Sequence, residues 1–239
     1  MPKNIFGQSL WLKKKIFQTM GKITRSWLIR TNNLTISGSK ILNELPDKKV
    51  LFVVNHQTIF TDVITIFHAI FAAQSGQIDS LERNNYLKNP KLNVYFIAAR
   101  ETMQKGILPK IFALAGAVTI DRTWRKGDEM VQRAVNPDDT KSIVMAINDG
   151  WVITFPQGTT RLGAPVRKGT GQIIKRHQPI VVPVRVDGFR EAFDKTGLKK
   201  LKTNVDLSIT FGQPLAIDYK NESAQDITEK IANAIGENA

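Results

Sequence analysis

Through the first thirty residues, apolar side chains recur at three-, four- and seven-residue steps. Ile5, Leu12, Ile16, Met20, Ile23 and Trp27 therefore share one face of a helix expected over residues 4–30. Lys14, Lys15, Lys22 and Arg25 project from the opposite side, Phe6, Leu10, Phe17 and Leu28 widen the apolar arc, and Trp11, Lys13 and Ile29 interrupt it. Such a helix fits two settings. In one, its apolar face packs on the body of the same domain and its lysines are solvated. In the other, it lies in the plane of a membrane, with aromatic rings at the headgroup boundary and a cationic rim over anionic lipid. There, each Lys or Arg near the surface contributes ~1 kcal/mol.

Beyond Gly38 the pattern changes to short apolar runs separated by helical stretches, the alternation of an α/β layer architecture. Strands are expected near 33–37, 50–54, 94–98, 117–120, 151–155, 180–186 and 205–211. Helices are expected near 62–73, 102–115, 125–135, 140–149, 170–176 and 223–235. Val50–Val54 and Val181–Val186 are apolar runs rather than alternating ones, which suits strands buried on both faces at the centre of a sheet. The polar stretch 75–93, with Asn84-Asn85 and Asn89-Pro90, reads as a loop carrying a short helical turn. The expected fold is α/β: a mixed, largely parallel central sheet flanked by helices. An N-terminal amphipathic segment (residues 1–30), expected to dock on membrane, precedes the α/β domain (31–239).

Length and composition narrow the classes. A chain of 239 residues with 42% hydrophobic content builds a substantial core, which excludes a disordered basic tail. Its 34 Lys and Arg against 21 Asp and Glu give a net charge of +13, which favours anionic partners. Nucleic acid is set aside, because no helix-turn-helix, zinc-finger or aromatic-interleaved basic sheet pattern is present. Zero cysteines exclude a disulfide framework, a thiolate metal site and a cysteine nucleophile. No set of His, Asp and Glu has zinc-like spacing, so neither metal nor cofactor is expected, and His68 reads as a core histidine. No run approaches the ~18 apolar residues of a spanning helix, so any membrane attachment is expected to be peripheral.

Three places carry chemistry. Asn55-His56-Gln57-Thr58-Ile59-Phe60-Thr61-Asp62 follows a buried strand and leads into an apolar helix, and strand C-termini are where α/β folds place reactive groups. His56 suits proton removal near neutral pH, and Asp62 is a candidate to hold its other ring nitrogen. By spacing alone Asp62 serves equally as a helix cap. Phe155-Pro156-Gln157-Gly158-Thr159-Thr160-Arg161 also ends an apolar run. Its glycine permits close approach, its threonines offer hydroxyls and Arg161 can grip a phosphate. Gly116-Ala117-Val118-Thr119-Ile120-Asp121-Arg122 delivers an Asp-Arg pair from a short strand, which by itself reads equally as a surface ion pair.

In this order and spacing the three resemble the glycerolipid acyltransferase family, typified by 1-acyl-glycerol-3-phosphate acyltransferases. That family carries Asn-His-x4-Asp, Gly-x-x-x-Ile-x-Arg, Phe-Pro-Glu-Gly-Thr-Arg and then an apolar strand containing proline, here Val181-Val182-Pro183-Val184. Glu101, Pro109 and Lys168-Gly169 also sit where relatives place such residues, and the likeness spans about residues 33–215. The resemblance implies an enzyme of phospholipid biosynthesis. It would move a fatty acyl group from a CoA or acyl carrier protein thioester to a hydroxyl of a lysophospholipid-like acceptor, at the cytoplasmic face of a bilayer. His56 would be the general base and Asp62 its orienting partner. Asn55, Arg122, Gln157, Gly158, Thr159, Arg161 and Lys168 would line the substrate site.

Two departures from the family pattern bear on the chemistry. Five residues separate His56 from Asp62 instead of four, so their contact requires the extra residue to lie in the loop. Inside a helix it would swing Asp62 by ~100°. The later motif has Gln157 for Glu and an inserted Thr160, which removes a charge, displaces Arg161 and suits an altered acceptor headgroup. The same departures fit a second reading, a catalytically silent lipid-binding or lipid-transfer protein on this scaffold.

Overall fold

The computed structural model describes residues 1–121, 125–126, 129–130 and 136–236. Seven strands form one sheet: β1 (Asn33–Ser37), β2 (Val50–Val54), β3 (Val94–Ala99), β4 (Ala117–Ile120), β5 (Trp151–Thr154), β6 (Ile180–Asp187) and β7 (Asp206–Phe211). Their spatial order is β1-β7-β6-β2-β5-β3-β4. The five strands from β6 to β4 are mutually parallel. β7 runs antiparallel to β6, and β1 is parallel to β7. The helices are α1 (Leu10–Ile29), α2 (Thr61–Gln74), α3 (Arg100–Gln104), α4 (Ile107–Leu114), α5 (Pro137–Asp149), α6 (Lys168–His177), α7 (Phe189–Ala192) and α8 (Ala224–Ala234).

The apolar run of β2 is explained by two cores. Val50, Phe52 and Val54 face the side covered by α1 and α2, whereas Leu51 and Val53 face the side covered by α5, α6 and α8. Trp151 and Ile153 of β5 join the first core and Val152 the second, so successive side chains of each central strand are buried on opposite faces.

Three expected helices differ from what is found. The first begins at Leu10 and not at residue 4, because Ser9 caps it by accepting from the Leu12 N–H, and Asn4 and Gln8 close a separate turn ahead of it. The helix expected over 102–115 is two, α3 and α4, broken at Gly106, whose φ of 98° no helix accepts and other residues adopt only with strain. The helix expected over 125–135 lies largely outside the described residues. Within it, Arg125–Lys126 pairs antiparallel with Glu129–Met130.

α1 buries Lys13, Ile16, Phe17, Gly21, Thr24 and Leu28. At 100° per residue, that stripe is turned by roughly 80° from the most apolar one. Leu12 and Ile23 consequently stay exposed, while Lys13 is fully buried. The Lys13 ammonium donates to the Val94 carbonyl at 2.6 Å and sits over the Tyr95 ring. Burial pushes its pKa down to about 7, partly offset by the charge of Asp149.

Candidate functional site

The C-terminal ends of β2, β4, β5 and β6 lie along one edge of the sheet, and the candidate residues emerge there. Asn55 adds one side-chain rung beyond β2. Its Nδ2 donates to the Val186 carbonyl at 2.9 Å and its Oδ1 accepts from the Val186 N–H at 2.8 Å. This fixes the direction in which the chain leaves the sheet. His56 follows, with its ring stacked on Phe155 at 4.0 Å between centroids.

His56 Nδ1 lies 3.0 Å from Asp62 Oδ2, and the two side chains are 12% and 0% exposed. Asp62 also accepts from the Gln57 N–H at 2.6 Å, the Thr58 N–H at 3.0 Å and the Thr58 hydroxyl at 2.6 Å. With both oxygens occupied as acceptors, the carboxylate assigns the proton to Nδ1 and leaves the Nε2 lone pair free. Nε2 has no hydrogen-bond partner among the described residues. The additional residue of the His-x5-Asp spacing sits in the 57–60 loop, before α2 begins at Thr61, so Asp62 is not rotated away. That longer loop is braced from outside: the Ile59 and Phe60 N–H groups donate to the Lys195 and Thr196 carbonyls at 3.1 and 3.0 Å, and the Thr61 hydroxyl donates to Gly197.

The loop after β5 turns at Gly158, whose φ of 65° is left-handed and whose N–H returns to the Phe155 carbonyl. Gln157 is buried and ties the two motif loops together. Its Oε1 accepts from the His56 N–H at 3.2 Å and its Nε2 donates to the Ala164 carbonyl at 2.8 Å. A glutamate cannot make the second bond. Gln157→Glu is therefore expected to lower stability by about 1–3 kcal/mol and to reduce turnover, read by thermal unfolding and by rate. The inserted Thr160 is held as well, because its carbonyl accepts from the Arg190 guanidinium at 2.9 Å. Gln57 completes the brace, donating to Asp187 and accepting from the Arg190 N–H.

The structure thus gathers Asn55, His56, Asp62, Gln157 and Gly158 tightly. Thr159 and Arg161 continue the same loop, with the Thr159 hydroxyl accepting from the Arg161 N–H; Arg161 itself is exposed. Lys168 is the exposed first residue of α6. Arg122 lies outside the described residues, next to Asp121, which pairs with Arg100. Phe155, Thr58, Arg190 and the 194–197 loop were not singled out from sequence. Only Thr58, four residues before an acidic residue at a helix start, left a local signal.

Behind α2 a narrow apolar pocket, partly open to solvent, lies between Ile16 and Met20 of α1, Phe67 and Phe71 of α2, Leu87 and Phe112. Val63, the residue after Asp62, is part of its lining. His68 forms part of its wall, bonded to the Thr24 hydroxyl and the Tyr86 hydroxyl at 2.8 Å each. Burial, aided by the charge of Arg25, pushes its pKa down to about 3, so it stays neutral. Among the described residues no group of three or more His, Cys, Asp or Glu side chains could hold a metal ion.

The sequence profile of the family described as Acyltransferase matches residues 33–187. The chain belongs to the acyltransferase family. Comparison with curated proteins gives no match. Among solved structures, this acyltransferase is similar to the 1-acyl-sn-glycerophosphate (LPA) acyltransferase PlsC from Thermotoga maritima. The TM-score is 0.59 at 16% identity, over 93% of this chain and 77% of that one. At that identity the likeness speaks for the fold, which in both is the layered α/β arrangement that carries the His56 edge here.

Proposed function

We propose that this acyltransferase moves a fatty acyl group from a thioester, acyl-CoA or acyl carrier protein, to a hydroxyl of a lysophospholipid-like lipid. The observation that carries the reading is the 3.0 Å contact between His56 Nδ1 and Asp62 Oδ2 at the exposed edge of the sheet. His56 Nε2 takes the acceptor's proton as its oxygen attacks the thioester carbonyl, and Asp62 stabilises the imidazolium. Collapse of the tetrahedral intermediate breaks the carbon–sulfur bond, and the imidazolium returns the proton to the departing thiolate. No covalent acyl-enzyme is required, in keeping with a chain that has no cysteine.

The apolar pocket suits the acyl tail, since its lining is almost wholly hydrocarbon. Arg122, Gly158, Thr159, Arg161 and Lys168 form the acceptor side, with Arg161 holding the anionic headgroup. The uncovered apolar stripe of α1, with Lys15 and Lys22 exposed beside it, docks on the cytoplasmic face of a bilayer, and no described helix is long and apolar enough to cross one. The test is thiol release from acyl-CoA and acyl carrier protein thioesters by purified protein, given a panel of lysolipids. Acceptor-dependent release supports the reading. Binding of lipid with no release by any pair would favour the silent lipid-carrier reading instead.

A further inference from the structure

After the terminal Met1, the three most exposed large apolar side chains among the described residues are Ile107 at 80%, Leu162 at 73% and Leu201 at 57%. They lie far apart in sequence, yet the topology brings them to one edge. Ile107 opens α4 after β3 and α3, and Leu162 lies in the loop between β5 and α6. Leu201 belongs to the segment between α7 and β7, whose residues 195–197 brace the His56 loop. All three follow strands whose C-terminal ends form the edge where His56 emerges.

Each is flanked by exposed cations: Lys105 and Lys110 about Ile107, Arg161 beside Leu162, and Lys199 and Lys200 about Leu201. Around Leu201, over residues 187–202, the five cations Arg190, Lys195, Lys199, Lys200 and Lys202 outnumber the three acids Asp187, Glu191 and Asp194. Asp187 accepts from Gln57, Glu191 pairs with Lys202, and Asp194 accepts within its own loop. Isolated aliphatic tips within a positive field match hydrocarbon beneath anionic headgroups.

We infer that Ile107, Leu162 and Leu201 are wedges that set the catalytic edge itself into an anionic bilayer, separately from α1. This rests on the function proposed above and adds an orientation to it. The sheet stands edge-on to the membrane, and the acceptor hydroxyl reaches His56 without leaving the headgroup layer. On this geometry Ile23, in the half of α1 nearer the edge, contributes more than Trp11.

The test uses the full chain and vesicles of phosphatidylcholine with one quarter phosphatidylglycerol. Ile107→Glu, Leu162→Glu and Leu201→Glu are made singly and together, with Met145→Glu on α5 as the control. Such exposed positions tolerate the change, which unchanged thermal unfolding verifies. Each single variant is expected to weaken vesicle binding roughly tenfold, and the triple variant more than about a hundredfold, with Met145→Glu unaffected. Turnover of lipid presented in vesicles falls in parallel, while turnover of a short, water-soluble acceptor stays within about twofold. Undiminished vesicle binding by the triple variant overturns the inference. So does intact binding with lost turnover of an acyl carrier protein thioester, which would make this edge a protein-docking surface. Vesicle binding is measured without turnover, so a wild type that binds yet transfers nothing counts against the proposed function alone.

Discussion

His56→Ala is expected to fold as the wild type does and to lose acyl transfer by about 10²- to 10⁴-fold, the range a positioned general base contributes. The loss should appear in kcat, because the imidazole acts on the hydroxyl proton only as attack proceeds. Asp62→Asn is a sharper probe. The amide keeps the shape of the carboxylate but brings an NH₂ group toward donors that now point at oxygens: the His56 Nδ1 proton, the Gln57 and Thr58 N–H groups and the Thr58 hydroxyl. At least one of them loses its acceptor, and the imidazole is favoured in the tautomer with its lone pair on Nδ1, facing away from substrate. Transfer should fall nearly as far as in His56→Ala. Full activity in either variant would mean that another group takes the proton.

The second large effect is on stability and has a pH signature. Folding lowers the pKa of Lys13 from 10.5 to about 7, so between those values the unfolded chain binds more protons at this position than the folded one. Stability therefore rises with pH across that window, and below it the buried ammonium is a standing cost on the order of 5 kcal/mol. Lys13→Met keeps the length of the side chain and removes the charge, while giving up the bond to the Val94 carbonyl, worth about 1 kcal/mol. The variant should be several kcal/mol more stable than the wild type near pH 6, and the advantage should vanish or reverse near pH 10. Denaturant titrations at the two pH values measure it. Parallel pH profiles for the two proteins would show that Lys13 does not carry the charge cost.

Lys13 also marks where sequence reading ran out. The central strands were legible because a strand buried on both faces leaves an unbroken apolar run, as in Val50–Val54, whatever its neighbours are. The His56–Asp62 contact was legible as a requirement, since the loop offered the only place where the extra residue leaves the pair intact. The buried stripe of α1 was not. It is decided by a carbonyl at Val94 and a ring at Tyr95, some eighty positions away, and periodicity alone assigns a lysine to solvent. The split of α3 from α4 hung on one glycine inside an otherwise continuous helical pattern. Arg190 was invisible for a similar reason: its partner, the Thr160 carbonyl, is thirty residues away in sequence.

The edge strand β1 has a consequence for synthesis. Among the described residues its one ladder is with β7, the last described strand, and Asn33 pairs with Asp206 across 173 positions. A chain emerging N-terminus first therefore presents α1 long before the strand that follows it has anything to pair with. During that interval β1 stays unpaired, so this end of the sheet closes only after Asp206–Phe211 have been synthesised.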